Sequence, residues 1–276
     1  MIYVKLTKKF ITKNLLPHLS QTRLGRKPKV KLWRVVKAII HKLKTGTQWR
    51  ELPMRQFCFR RIISWNTAFY HFNKWSKDGS WKNLWTILLS LNKFYLDMSS
   101  VQLDGSHTPA KRGGEEVEYQ KRKSCKTTNA LFLTDRQGLP LAMSPPVSGN
   151  HHDLFEIIKS MQKIEADLKA ANISSNGLFM NADAGFDAKT LRDWCETLEI
   201  TANIDLNKRN SKNTDFEYTL DEELYKERFS VERTNAWIDA FKALLVRFET
   251  TVRNWSSLHY LAFSLILIRH VDKSNF

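Results

Sequence analysis

GLFMNADAGFDAKTLRDWCETLEITANI, residues 177–204, switches from strand to helix and back within 28 residues. Residues 178–182 form a short apolar run closed by Asp183 and read as a strand. Residues 188–198 carry apolar side chains at helical spacing, and residues 200–204 are again strand-like. Upstream, Val101-Gln102-Leu103-Asp104 is another short strand. Residues 127–134 and 139–144 flank Asp135-Arg136-Gln137-Gly138, whose spacing and turn chemistry predict a hairpin. Residues 153–168 read as a helix, a long helix is expected over residues 225–248, and the apolar segment 258–268 closes the chain. Three strands followed by helix, strand, helix, strand and helix give an α/β class: a mixed sheet covered by helices.

The first third has a different character. Leu32, Val35, Val36, Ile39, Ile40 and Leu43 recur at helical spacing after the start signal Gly25-Arg26-Lys27-Pro28, and Thr45-Gly46 ends that helix. Trp49-Arg50-Glu51-Leu52-Pro53 is a connector. A second helix carries Ile62, Trp65, Phe69, Phe72 and Trp75 and stops at Asp78-Gly79, and a third runs from about Trp81 to Phe94. The aromatic stripe reads as core. Residues 1–98 hold 21 Lys and Arg against 3 Asp and Glu, a balance of +18, whereas the remaining 23 basic and 25 acidic residues give −2. The whole positive excess therefore lies in front of a near-neutral second part, with the boundary near Met98-Ser99. A field of this size attracts a polyanion and releases its counterions, so double-stranded DNA is the expected partner. Short basic helices with tight turns suggest a helix-turn-helix type of DNA-binding domain over 1–98, with Arg55, Arg60, Arg61, Asn66 and Lys74 as contacts.

Composition excludes several classes. Hydrophobic residues at 42% can fill a core. No apolar run approaches the ~18 residues of a membrane span, and no secretory signal is visible. Cys58, Cys125 and Cys195 lie far apart and form no Cys-x-x-Cys pair, so buried thiols in a reducing, cytoplasmic setting are expected. The absence of a Gly-rich phosphate loop argues against ATP use. His107, His151 and His152 have no partner at metal-ligand spacing.

Asp104 and Asp183 each close a predicted strand, and Glu232 falls on the predicted long helix. At 3.6 residues per turn, Tyr225, Arg228 and Asp239 share the side of Glu232, which places Glu232 at the border of the buried stripe, facing the sheet. A carboxylate there needs a partner or a cation; a salt bridge to Arg228 is the plainer alternative. Each aspartate alone is more often a turn residue. Together, three carboxylates without cysteine or paired histidine favour Mg²⁺ or Mn²⁺ over zinc. Two such ions ~4 Å apart suit phosphoryl transfer.

Several segments resemble one family. Leu103-Asp104-Gly105-Ser106-His107-Thr108-Pro109-Ala110-Lys111-Arg112-Gly113-Gly114 is similar to the first-aspartate segment of DDE transposases from bacterial insertion sequences. Lys126-Thr127-Thr128-Asn129-Ala130 and Gly149-Asn150-His151-His152-Asp153 resemble the segments that follow it. Ala182-Asp183-Ala184-Gly185-Phe186-Asp187 resembles the second-aspartate motif, which selects Asp183 over Asp187. Tyr225, Arg228 and Glu232 match the Y-x2-R-x3-E part of the glutamate signature; its usual final lysine is replaced by Asp239, with Lys242 or Arg233 nearby. Thr45-Gly46-Thr47-Gln48-Trp49-Arg50-Glu51-Leu52-Pro53 resembles the insertion-sequence-five type of the insertion-sequence-four/five superfamily.

The resemblance implies an RNase H-like catalytic domain over 99–276, with the first aspartate on the first strand, the second on the fourth and the glutamate on a later helix. It implies Mg²⁺, with Mn²⁺ able to substitute, held by Asp104, Asp183 and Glu232. It also implies cleavage at terminal inverted repeats, joining of the 3′-OH to target DNA, and a homodimer or larger assembly. Tyr225, Arg228 and Arg233 are expected as DNA contacts beside the site; Lys111-Arg112 and Lys121-Arg122-Lys123 read either as phosphate contacts near it or as solvated loops. Two rival readings stay open: an RNase H-like metal-dependent nuclease that cuts without joining, and a catalytically decayed DNA-binding protein.

Overall fold

The computed structural model describes residues 7–21, 30–58, 63–207 and 220–274. In chain order the helices and strands are α1 (Lys8–Asn14), α2 (Leu32–Thr45), α3 (Met54–Phe57), α4 (Trp65–Lys77), α5 (Ser80–Leu91), β1 (Val101–Pro109), β2 (Glu118–Gln120), β3 (Cys125–Asp135), β4 (Pro140–Met143), β5 (Val147–Ser148), α6 (Ile157–Ala170), β6 (Phe179–Ala182), α7 (Lys189–Thr197), β7 (Thr201–Ile204), α8 (Glu222–Lys226), α9 (Ser230–Asp239), α10 (Lys242–Leu245) and α11 (Val252–Ser274). They fall into two compact units, one formed by residues 1–88, 111–115 and 237–276, the other by 89–110 and 116–236. No helix among the described residues is long and apolar enough to cross a membrane.

The first unit is helical. Val36, Ile39, Ile40 and Leu43 of α2 are fully buried, as their spacing predicts. Gly46 ends α2 at φ 69°, a left-handed turn that glycine adopts without steric cost. Ala38, Leu52, Met54 and Ala68 join α2, α3 and α4 in one apolar cluster, with Trp49 and Trp65 packed against it. Phe72 and Trp75 are buried, while Phe69 and Trp65 are half-buried. α5 stops at Leu91, short of the expected Phe94, and both Leu91 and Phe94 are exposed. Gly25-Arg26-Lys27-Pro28, Arg60, Arg61 and Ile62 lie outside the described residues.

Residues 237–274 pack into this same unit. α11 meets α2, α4 and α10, and Phe263 lies edge-on to Trp85 with ring centroids 5.6 Å apart. Trp255, Leu258, Leu261, Phe263, Leu265 and Leu267 are all fully buried, so α11 is buried on every side. The buried Lys42 ammonium stands 3.6 Å from Glu249, which also accepts from the Trp49 indole at 3.1 Å. Burial pulls the Lys42 pKa down, and the Glu249 charge opposes that pull. The chain's linear order and its packing thus differ: α11 follows the sheet in sequence but packs with the N-terminal helices.

Buried His259 on α11 makes a pH-dependent contribution. Its Nδ1 is 3.0 Å from the Trp255 carbonyl, and burial pushes its pKa down from 6.5 to about 4. Above pH 6.5 the ring is neutral folded and unfolded. Between 6.5 and 4 only the unfolded chain takes the proton, so stability falls as pH falls through that window, by ~3 kcal/mol for this group. Urea unfolding at pH 7 and pH 4.5 should show this loss, and His259→Gln should flatten it; equal acid loss in both proteins would contradict the assignment.

The second unit is built on a sheet. The strand order is β2-β3-β1-β6-β7, with β4 and β5 also pairing with β3. β1 pairs antiparallel with β3 along its whole length and parallel with β6 over Val101, Gln102 and Leu103 only. Asp104 therefore does not end its strand. The eleven-residue β3 extends the ladder as far as Pro109, and Asp104 sits mid-strand where parallel pairing to β6 stops. The predicted hairpin forms as β3 and β4. Val101, Leu133 and Met180 line one cavity with Met161, Ile164 and Leu168 of α6 on one face of the sheet. α6 begins at Ile157, not Asp153, because Glu156 takes a left-handed φ of 48° and Asp153 is engaged elsewhere.

The expected long helix over 225–248 is broken. α8 passes through a 3-10 turn at Glu227–Phe229 into α9, which ends at Asp239. The chain then turns at buried Phe241 into α10. Tertiary packing causes this second break: α10 packs against α2, where a Cβ at Gly46 would stand 3.2 Å from Lys242 Cβ.

Candidate active site

Three neighbouring strands carry one repeated tetrad: Val101-Gln102-Leu103-Asp104, Met180-Asn181-Ala182-Asp183 and Ala202-Asn203-Ile204-Asp205. The registers Gln102↔Asn181 and Asn181↔Asn203 align all three. Side chains alternate between faces along a strand. The apolar members therefore point to the α6 face, whereas the amides and, one rung later, the aspartates point to the face that α8 and α9 cover. Asp104 and Asp183 are thus brought side by side, and Asp205 continues their row. β6 is the fourth strand once the three-residue β2 and two-residue β5 are set aside.

Asp104 is the most perturbed member. Burial first, then the charges of Asp183 and Asp153, push its pKa up to about 6, against the Gly105 N–H and the Asn235 amide. Asn235 Nδ2 donates to Asp104 Oδ2 at 3.3 Å, so α9 reaches the site through this residue. Asp183 accepts from the Gly185 N–H at 2.8 Å, capping a short 3-10 turn. Asp187, the other aspartate of that motif, turns away to pair with Arg192 at 2.9 Å. Asp153 lies directly over the β1 backbone: a Cβ on Gly105 would come within 2.1 Å of its Oδ1. That same oxygen accepts from Asn129 Nδ2 at 2.8 Å.

Glu232 is on α9, one turn before Asn235, and is exposed. The border-of-core position predicted from helical phase does not hold. Three residues of 3-10 geometry advance ~120° each instead of ~100°, so the phase carried from Tyr225 drifts by about 60° before Glu232. Among the described residues no three His, Cys, Asp or Glu side chains converge on a single metal position. The donor set still suits a hard divalent cation in kind: oxygen only, with a buried carboxylate facing two others.

Arg228 is gripped between two rings, 5.3 Å from the Tyr225 centroid and 5.0 Å from that of Phe229. Its buried Nε has no hydrogen-bond partner among the described residues. Tyr225 feels the charges of Asp205 and Asp183, so the Tyr-x-x-Arg pair flanks the carboxylate row. Arg233 donates to the Gln137 carbonyl at 2.9 Å. Lys111, Arg112 and Arg55 are exposed and belong to the helical unit. Lys123 Nζ donates to the His107 carbonyl at 3.0 Å.

Two family models match the chain. The one described as "Putative transposase of IS4/5 family" covers residues 11–85. The one described as "Transposase DDE domain" covers residues 94–267, more than half of the chain. The chain belongs to the DDE transposases. It is a DNA-cleaving transposase whose sheet, antiparallel on one side of β1 and parallel on the other, is the RNase H-like arrangement. No curated protein matches the transposase. Among solved structures it is similar to "Mos1 transposase paired-end complex with left transposon end" at 13% identity, over 90% of this chain and 80% of that one, with a TM-score of 0.29. It is similar to "Crystal structure of the Mos1 Strand Transfer Complex" at 14% identity, over the same shares, with a TM-score of 0.28. At such scores the likeness carries no weight for mechanism.

Sequence reasoning missed Asp153, Asn129, Asn235, Asp205 and the three amides. The tetrad repeat was readable: an amide two residues before each strand-borne aspartate. Asp153 lay in a motif already singled out, but nothing local to it indicates that it folds back over Gly105.

Proposed function

We propose that this transposase binds the terminal inverted repeats of its element, cleaves the DNA ends and joins the freed 3′-OH to target DNA, using Asp104, Asp183 and Glu232. What supports the reading is the pairing of β1 with β6, which puts Asp104 and Asp183 on one sheet face, and the bond from Asn235 to Asp104, which brings α9, the helix that carries Glu232, to that face. Asp104 and Asp183 would hold Mg²⁺ or Mn²⁺, with Glu232 completing the set from α9. Bound divalent ions would activate the attacking oxygen and stabilise the leaving one. Asn235 would orient the Asp104 carboxylate, and Asp153, held by Asn129, packs over Gly105 beside it. Arg228, held by the Tyr225 and Phe229 rings beside the carboxylate row, would hold a DNA phosphate at the site. The basic residues of 1–98, with Arg55, Lys111 and Arg112, supply a sequence-independent attraction that falls steeply with salt.

The test is a joining assay. Full-length protein, Mg²⁺ and a pre-cut DNA end from the inverted repeat should give covalent insertion into a target plasmid. Cutting of uncut ends without joining would support the nuclease reading. Binding with neither activity would support a decayed enzyme.

A further inference from the structure

The amides under the aspartates do more than fill the sheet. Gln102 and Asn181 are fully buried and Asn203 is 3% exposed. They form one hydrogen-bonded row across three strands: Asn181 Nδ2 donates to Gln102 Oε1 at 2.9 Å, and Asn203 Nδ2 donates to Asn181 Oδ1 at 2.8 Å. The same row bonds the segment leading to Glu232 at three heights. Asn203 clasps Asp221 with two bonds, Nδ2 to its carbonyl at 3.0 Å and Oδ1 from its N–H at 2.9 Å. Asn181 Nδ2 also donates to the Leu224 carbonyl at 3.0 Å. At the other end Gln102 Nε2 donates to Ser100 Oγ, which donates to Glu227 at 2.7 Å. Glu227 is held in turn by Arg136 at 2.7 Å.

An apolar sheet face would let a helix slide along it, because hydrophobic contact is non-directional. Buried amides accept only the placement that satisfies them all, since an unmet donor or acceptor is costly at this depth. We propose that the row Gln102, Asn181 and Asn203 is a positioning device that fixes the axial register of α8 and α9 against the sheet, and so sets where Glu232 stands over Asp104 and Asp183. The inference rests on the reading of those three carboxylates as the catalytic set. Each amide sits two residues before an aspartate on its own strand, so helix register and carboxylate row are set from the same rungs.

The experiment uses the full chain with Asn181→Leu and Asn203→Leu together, and separately Ser100→Ala, which removes the Glu227 anchor and the acceptor of Gln102 Nε2 but leaves the bonds of Asn181 and Asn203 to Asp221 and Leu224 in place. In metal-free protein, amide exchange across 221–239 should quicken about tenfold or more while 101–109 and 157–170 keep their protection. With Mn²⁺ and end DNA, the Mn²⁺ concentration for half-maximal cleavage should rise about tenfold, as for other groups that orient metal ligands, with a smaller fall in rate at saturating Mn²⁺. A merely structural row would reduce the active fraction and leave the half-saturating Mn²⁺ unchanged, which would overturn the inference, as would unaltered exchange over 221–239. Should the double variant lose protection throughout the sheet, Ser100→Ala decides by the same two readouts. Failure of the underlying reading looks different: Glu232→Gln would then cleave at the wild-type rate, while the exchange measurement still judges the register.

Discussion

Asp104→Asn, Asp183→Asn and Glu232→Gln should each reduce end cleavage by ~10³-fold or more while leaving end binding intact. The substitutions are nearly isosteric, so they keep volume and much of the hydrogen bonding but remove the charge a divalent cation requires. Asp104→Asn also relieves a buried charge that burial and two neighbouring carboxylates disfavour. That variant should therefore be at least as resistant to urea at pH 7 as the parent, a combination of higher stability and lost activity expected of a functional carboxylate. Cleavage measured by gel, binding measured by mobility shift and unfolding by urea check the three parts separately. Undiminished cutting in any one variant removes that residue from the catalytic set.

Cutting the chain at 98/99 should have an equally large effect, this time on folding. Residues 99–276 expressed alone keep α11 but lose α2, α4 and Trp85, against which α11 packs. Burying a large apolar side chain contributes ~1.5–3 kcal/mol, so Leu258, Leu261, Phe263, Leu265 and Leu267 together represent about 10 kcal/mol, comparable to the entire stability of a domain. The fragment should aggregate or bind a hydrophobic dye, and near-UV circular dichroism should show lost aromatic packing. A fragment ending before α11 should be better behaved than one that includes it. Recovery of a well-folded, monomeric 99–276 would contradict this packing. Functional separation of the basic helices from the carboxylate unit is therefore better probed with point variants such as Arg55→Ala than with truncation.

Much of the architecture was legible where the pattern is local. The α2 stripe and its Gly46 stop, the β3–β4 hairpin and the β6–α7–β7 alternation each follow from a period and a turn signal within about a dozen residues. Failures came where tertiary contact overrides a local rule. The spacing 225–248 reads as one helix, yet packing of α10 on α2 turns the chain at Phe241. Asp104-Gly105 reads as a turn, yet the long partner β3 keeps it in a strand, with Asp153 filling the space a side chain at 105 would take. The two aspartates were recoverable because each follows an apolar strand run. Glu232 is singled out by motif alone, and its exposure could not be derived, since a three-residue 3-10 segment leaves no sequence mark and shifts the phase of everything after it. The amide row was visible as a repeat of one tetrad in three strands, and register alone gives that repeat its meaning.

The proposed site requires Glu232 to join Asp104 and Asp183 around a common divalent ion. Fe²⁺ loaded in place of Mg²⁺ on the DNA-bound transposase, with ascorbate and peroxide, cuts the polypeptide backbone within a few ångströms of the bound ion. Cuts near residues 104, 183 and 232 together, suppressed by excess Mg²⁺ and by Asp183→Asn, are the predicted result. Cuts near 104 and 183 with none near 232 would exclude Glu232 from the site.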